Sequence, residues 1–276
     1  MPDSLTLLSP AKLNLFLHIT GRREDGYHTL QTLFQLLNWG DQLSFTPNDS
    51  GQITLDSTMA DITLEDNLIV RAARLLQRGS MGAHITLQKR IPTGAGLGGG
   101  SSNAATTLLA LNHLWKLDIP RTQLQTIGAG LGADVPVFVS GHTAWAEGIG
   151  EILTPVELPQ HWYLILIPDC HVSTVKIFSH PQLTRNNIPI KMAAFFRGDT
   201  RNDCQQLVRH LYPQVDKALK FLGNFGKPRL TGTGGCAFLN FEHESEAKAV
   251  REQLQGAWTS VLARGVNTSP LPLEIV

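Results

Sequence analysis

Apolar and polar positions alternate through residues 11–21, AKLNLFLHITG, with Leu13, Leu15, Leu17 and Ile19 on one parity and Lys12, Asn14, Phe16 and His18 on the other. The two-residue period predicts a half-buried strand from which Lys12 and Asn14 project on the same face. Asp25-Gly26 signals a turn, and two further strand-like runs follow, TLQTLFQLL and DQLSFT, so an antiparallel amino-terminal sheet is expected. Over 66–78 the period becomes helical, with Leu68, Ala72, Leu75 and Leu76 on one stripe. AHITLQKRIP then reads as a strand that Pro92 ends. A glycine run connects it to a helix for which Ser101, Ser102 and Asn103 are candidate caps and Ala104, Leu108, Leu111 and Trp115 the buried face.

A second glycine-rich turn at 128–139 precedes two short strands around GIGE at 148–151, a hairpin signal. WYLILI at 162–167 reads as a fully buried strand, LTGTGGCAFLNF at 230–241 as a glycine turn entering a strand, and SEAKAVREQLQ as a helix with Ala247, Val250 and Leu254 inward. Proline and polar residues thicken at 155–160 and 168–189. That shift predicts an amino-terminal lobe over 1–155 and a carboxy-terminal α+β sandwich over 156–276. GAGLG occurs at 94–98 and again at 128–132 without a third copy, which argues against a solenoid and reads as chance similarity between turns.

Composition narrows the functional classes. Lysine plus arginine equals aspartate plus glutamate at 23 each, so no overall field recruits nucleic acid or an anionic membrane, and an anionic ligand must be held locally. Cys170, Cys204 and Cys236 are widely spaced and odd in number, which fits a reducing cytoplasm better than a disulfide framework. MPDSLTLLSP lacks a basic stretch followed by an apolar run, so no secretory leader is expected, and no apolar run approaches a bilayer span. The histidines form no H-E-x-x-H or related cluster, and no protein-held catalytic metal is expected.

Five of the seven positions 94–100 are glycine, more than a tight turn requires. A Walker-type loop is excluded because Gly100 is followed by Ser101 with no lysine. Gly94, Gly96 and Gly99 formally satisfy G-x-G-x-x-G, but the acid at the right spacing, Asp118, follows the helix directly with no strand before it, so a dinucleotide fold is a weak alternative. The third reading is a triphosphate cradled by backbone amides of 96–102 at a helix amino terminus, where free N–H groups and the helix dipole both favour an anion.

SPAKLNLFLHI at 9–19, PTGAGLGGGSSNAA at 92–105 and LTGTGGCAF at 230–238 resemble the three ordered motifs of the GHMP small-molecule kinases. GRREDGYHTLQT at 21–32 and LGADVPVFVSGHTAWAEGIGE at 131–151 further resemble the members acting on the cytidine-diphosphate-linked alcohol 4-diphosphocytidyl-2-C-methyl-D-erythritol. The resemblance implies an α+β, two-lobed GHMP kinase fold with an amino-terminal β-α-β lobe, a carboxy-terminal ferredoxin-like α/β sandwich and the active site in the cleft between them. It implies transfer of the ATP γ-phosphoryl group to the 2-hydroxyl of that alcohol in non-mevalonate isoprenoid precursor synthesis, with Mg2+ carried in by ATP.

The same resemblance puts Lys12 and Asp134 at the chemistry. Pro92, Gly94, Gly96, Leu97, Gly98, Gly99, Gly100, Ser101 and Ser102 fall around the phosphates, and Asn67, Leu68 and Lys89 near the nucleotide. Asn14, Tyr27, His28, Thr174 and Phe178 fall on the substrate side, with Tyr27 and Phe178 flanking the cytosine ring. Physically, Asp134 can accept the hydroxyl proton, Lys12 can orient the acceptor and offset developing charge, and flat aromatic faces suit a pyrimidine. Local readings compete: Asp134 before Val135-Pro136 is also a helix cap, Lys12 a solvated surface group, Phe178 a core residue. A GHMP kinase for another alcohol, of the mevalonate or homoserine type, and a nucleotide-binding module without catalysis are the alternatives.

Overall fold

The computed structural model of the chain describes residues 4–57, 62–198, 200–254 and 256–271. Its amino-terminal segment forms β1 (Leu5–Arg22). The strand is not half-buried: Lys12 and Asn14 are each 3% exposed, and Phe16 and His18 are as closed as their apolar neighbours. Leu7 joins one apolar cluster, Leu13 and Phe16 a second, and Leu17 and Ile19 a third, so β1 runs through the middle of the molecule. Alternation reports one apolar face and is blind to a second layer covering the other.

After the expected turn at Asp25-Gly26, β2 (His28–Asn48) runs as a single strand where two were predicted. It stays continuous because β1 pairs along it antiparallel, from Leu5 opposite Phe45 to Arg22 opposite His28. β3 (Ile53–Ser57), not anticipated, is followed by α1 (Leu68–Leu76), capped by Asn67, whose side chain accepts from the Ile69 amide at 3.0 Å. Ile69, Val70, Ala72, Ala73 and Leu76 face inward while Leu75, expected on the buried stripe, is 57% exposed. β4 (Gly82–Gln88) pairs with β2 antiparallel and β3 parallel.

The glycine run leads into α2 (Gly99–Leu114), which starts earlier than expected: Gly98, in the left-handed region at φ 75°, is the cap, and Ser101, Ser102 and Asn103 lie in the first turns. Ala104, Leu108, Leu111 and Trp115 are buried as predicted, but every residue from Ser102 to Leu111 is buried as well. Two helices escaped the periodicity reading, α3 (Arg121–Ala129) and α4 (Val135–Ser140). Asp118 therefore joins helix to helix, without the parallel strand that a dinucleotide site needs. β5 (Ala144–Glu147) and β6 (Ile152–Pro155) make the expected hairpin around GIGE.

Beyond residue 155, β7 (Trp162–Ile167) is buried from Tyr163 to Leu166 as expected. It is followed by α5 (Thr174–Ser179), α6 (Met192–Phe196), α7 (Gln205–Leu211) and α8 (Pro213–Leu222). The predicted glycine turn lies between β8 (Arg229–Leu230) and β9 (Ala237–Phe241). α9 (Glu244–Glu252) buries Ala247 and Val250, with Leu254 just beyond its end also buried, and β10 (Thr259–Val266) ends the regular structure.

One mixed sheet carries the order β3-β4-β2-β10-β7-β9-β8, with β1 and β5 also paired to β2. β10 is the tie between its halves: Gly265 and Val266 pair with Leu37 and Leu36, while Thr259 to Arg264 pair with β7. One apolar cluster packs α1, α2 and α4 on the amino-terminal strands, and another packs α7 and α8 on β7 and β9. A third, including Leu13, Phe16, Tyr163 and Phe238, lies between those halves. β1 lies at their seam, which is why its polar residues can open into a cleft.

Candidate active site

A cavity of about 850 Å³ opens in that cleft, lined by Lys12, Asn14, His28, the glycine loop, Asp134, Phe178 and Gly232, among others. Its floor is β1. The β1–β2 register shifts between Pro10 and Lys12 and again between Asn14 and Leu17. Such irregularities re-aim side chains, and these bracket Lys12 and Asn14.

The Lys12 ammonium meets three acceptors: Asp134 Oδ2 at 3.0 Å, Asn14 Oδ1 at 2.6 Å and the Gly96 carbonyl at 3.2 Å. It also lies 5.2 Å from the centre of the Phe34 ring. An ammonium has three donors, so a cation only 4% exposed keeps every proton bonded. Asn14 Nδ2 donates to Thr32 Oγ1 at 3.0 Å, and its backbone N–H donates to Thr231 Oγ1 at 3.1 Å. Asp134 stands where a cap for α4 would stand, but its carboxylate makes no capping bond. It pairs with Lys12 and remains 32% exposed toward the cavity.

The glycine loop closes over this pair. Lys12 N donates to the Leu97 carbonyl at 3.0 Å, and Thr231 Oγ1 to the Gly96 carbonyl at 3.1 Å, so the three motifs anticipated from sequence meet at one point. Gly96 has φ 76°, and a Cβ there would press into the Thr231 carbonyl and stand 2.9 Å from the Gly234 carbonyl oxygen. The first helical bond of α2 runs from Ser102 N to the Gly98 carbonyl at 2.8 Å. The amides of Gly99, Gly100 and Ser101 precede it and are the helix's donors for an anion. Gly96→Ala is expected to weaken binding of a nucleoside triphosphate at the loop at least roughly tenfold, because both the backbone conformation and the neighbouring carbonyls oppose a methyl group; calorimetric titration checks this.

At the loop's entry, Lys89 donates to Asp41 Oδ2 at 2.7 Å and to the Ile91 carbonyl. Burial pulls the Lys89 ammonium below the usual lysine range, and Asp41 opposes that shift. Asp41, fully buried, also accepts from Arg90 N at 2.6 Å and Ile91 N at 2.7 Å. Asn67 and Leu68, at the start of α1, line the same end of the cavity.

At the other end, the His28 and Phe178 rings stack at 5.0 Å with 21° between planes. Tyr27, at the hairpin tip, is 59% exposed and lines the cavity beside them. Thr174 Oγ1 bonds Thr233 Oγ1 at 2.9 Å, tying α5 to the turn between β8 and β9. Burial first, then Arg185 and Arg22, hold His28 below the ordinary histidine value.

The GHMP kinases N terminal domain model matches residues 67–142, and the GHMP kinases C terminal model matches residues 188–260. A 4-diphosphocytidyl-2-C-methyl-D-erythritol kinase of Pseudomonas entomophila (strain L48) is 54% identical over 98% of this chain and 95% of its own length. The chain belongs to the 4-diphosphocytidyl-2-C-methyl-D-erythritol kinase family of GHMP kinases. A relative of the same name from Pseudomonas putida (strain ATCC 700007) is equally similar, at 54% over 98% of the chain and 95% of its own. The crystal structure of a 4-(cytidine 5'-diphospho)-2C-methyl-D-erythritol kinase superposes with TM-score 0.81 at 33% identity, over 95% of this chain and 99% of that one. A mevalonate kinase, at TM-score 0.69 and 14% identity over 95% of this chain and 99% of its own, shares the fold.

The chain is thus a small-molecule kinase using ATP. Of the residues anticipated at its site, all but Ser102 line the cavity. Ser102 is fully buried, its amide spent inside α2 and its hydroxyl accepting from Ser9 Oγ at 2.8 Å, so it fastens the helix to β1. Asp41, Thr32 and Arg185 were not anticipated. Asp41 stands at the head of the strand-like run DQLSFT, where its neighbours Gly40 and Gln42 gave no sign of burial. Among the described residues no three or more histidines, cysteines or acids are grouped as metal ligands, and no helix is long and apolar enough to cross a membrane. The cysteines are free thiols; burial pushes Cys204 up to about 12 and Cys236 further, so neither is a nucleophile.

Proposed function

We propose that this kinase transfers the γ-phosphoryl group of ATP to the 2-hydroxyl of 4-diphosphocytidyl-2-C-methyl-D-erythritol, in the cytoplasm, in isoprenoid precursor synthesis. One observation carries the reading: a single cavity holds an anion-binding loop, a lysine-carboxylate pair and an aromatic platform in sequence. The triphosphate lies along Gly96 to Ser101, with the nucleoside toward Asn67, Leu68 and Lys89, and the cytosine at His28, Phe178 and Tyr27. The acceptor hydroxyl then falls between the two, against Asp134.

Asp134 takes the hydroxyl proton as the acceptor oxygen attacks the γ-phosphorus and the bond to ADP breaks. Lys12 cannot wander, since Asn14 and Gly96 hold it beside Asp134. Its charge offsets the negative charge that grows on the transferred group. The donors fit a phosphate-borne Mg2+, which keeps waters and needs few protein ligands: Ser101 at the loop and Asp134 opposite would flank it, and it would supply charge neutralisation. We assign residues 1–155 to the nucleotide side and 156–276 to the lobe that completes the substrate side.

With ATP and Mg2+, the cytidine-linked alcohol is expected to yield ADP at a rate far above that with mevalonate or homoserine. A coupled ADP assay checks this. Turnover of mevalonate or homoserine with the cytidine-linked alcohol inert would assign the site to another GHMP substrate.

A further inference from the structure

The turn between β8 and β9 reaches the Lys12-Asp134 pair through one side chain. Thr231 is fully buried and does not line the cavity, so it acts on the site only through its neighbours. An amide N–H can only donate and a carbonyl only accept. Thr231 Oγ1 therefore accepts from Asn14 N at 3.1 Å and gives its one proton to the Gly96 carbonyl, also at 3.1 Å. Those two residues are the ones that hold Lys12: its ammonium donates to Asn14 Oδ1 at 2.6 Å and to the same Gly96 carbonyl at 3.2 Å. One hydroxyl, 217 positions from Asn14 and 135 from Gly96, thus ties together both neutral acceptors that keep the ammonium beside Asp134. The turn that carries it is itself anchored. Thr231 N donates to Cys236 O at 3.2 Å and Gly234 N to Thr231 O at 3.1 Å, while Asn202 Nδ2 donates to Leu230 O at 2.9 Å and Gly232 O at 2.7 Å.

We infer that Thr231 is a positioning residue for phosphoryl transfer: its hydroxyl sets the Lys12 ammonium against Asp134 by holding Asn14 and Gly96 at one spacing. The inference rests on the reading of Lys12 and Asp134 as the catalytic pair. It adds that a buried side chain of the carboxy-terminal half fixes their geometry. Without the hydroxyl, the Gly96 carbonyl keeps only its bond from the ammonium, Asn14 N loses this acceptor, and the seating of Lys12 loosens. A displacement of about 1 Å at a reacting group costs roughly 100-fold in rate. Nucleotide binding is affected far less, because the bond from Lys12 N to the Leu97 carbonyl still holds the loop and the first amides of α2 still face an anion.

Three comparisons test it. Thr231→Val, which replaces the hydroxyl by a methyl of similar shape, is expected to lower kcat roughly 10- to 100-fold, while the calorimetric Kd for ATP stays within about threefold of wild type. Thr231→Ser keeps the hydroxyl and should recover most of that loss. In a Lys12→Met background, Thr231→Val should change the single-turnover rate by less than about twofold, because the group it positions is already gone. A folded Thr231→Val protein with wild-type kcat would overturn the inference, as would a loss confined to ATP affinity. Thr231→Ser as slow as Thr231→Val would do the same by assigning the effect to packing, and so would an equal loss with and without Lys12. If Thr231→Val does not fold, Thr231→Ser against Thr231→Ala, which differ by the hydroxyl alone, decides. Lys12→Met or Asp134→Asn at wild-type kcat defeats the catalytic-pair reading instead, a result read without any Thr231 variant.

Discussion

Asp134→Asn is expected to lower kcat by about 100- to 10,000-fold, the range for loss of a positioned general base, while ATP still binds. The asparagine keeps the shape and a hydrogen-bonding oxygen near the Lys12 ammonium, now 3.0 Å from the carboxylate, but it cannot take the acceptor's proton. Lys12→Met should cost a similar factor by a different route. It removes the charge opposite the transferred group and strands Asn14 Oδ1, now bonded by the ammonium, while the Gly96 carbonyl keeps only its bond from Thr231 Oγ1. Because the two residues act as a unit, the double variant should lose little more than either single one. Rapid-quench kinetics and ATP binding by calorimetry separate chemistry from nucleotide affinity. Single variants within about twofold of wild-type kcat would refute the pair's role, since a catalytic unit does not survive loss of either member.

The second large effect concerns stability. Asp41 is fully buried beneath the glycine loop and accepts from Lys89 Nζ and the amides of Arg90 and Ile91, all within 2.7 Å. Asp41→Ala leaves a mostly buried ammonium and two amides without their acceptor. Breaking one side of such a buried pair costs about 3 to 5 kcal/mol. For a chain of this size that corresponds to a melting temperature lower by roughly 10 °C. Bound ATP should recover part of the loss by mass action. Asp41→Asn keeps an acceptor for the amides and should fall between wild type and Asp41→Ala. A melting temperature for Asp41→Ala indistinguishable from wild type would show that Lys89 and the loop entry stand without the carboxylate.

Much of the site was legible because its parts obey local rules. Gly96 and Gly98 lie at positive φ, where a side chain is strained, so the glycine run recorded the loop's conformation directly. Lys12 and Asn14, two residues apart on a strand, share a face under any packing. Where the reading failed, the deciding partner lay elsewhere in the chain. Ser102 looked like a cap or a phosphate contact from its neighbours alone, yet Ser9 claims its hydroxyl across 93 positions. Leu75 fits the helical stripe by spacing, but α2 and the strands meet α1 on the side marked by Ile69, Val70 and Ala73.

By itself the amino-acid order determined the strand period, the backbone bends that only glycine accepts, and the three ordered motifs of a kinase family, because each is set by sterics and chemistry within a few residues. Tertiary structure alone decided that the polar residues of β1 are buried, that Asp134 pairs with Lys12 instead of capping α4, and that Asp41 and Arg185 stand behind Lys89 and His28. Those outcomes depend on hydrogen bonds and ion pairs between groups up to 157 residues apart. Such pairs leave no periodic trace in sequence, since their geometry exists only once the sheet has brought β1, β2 and the glycine loop together.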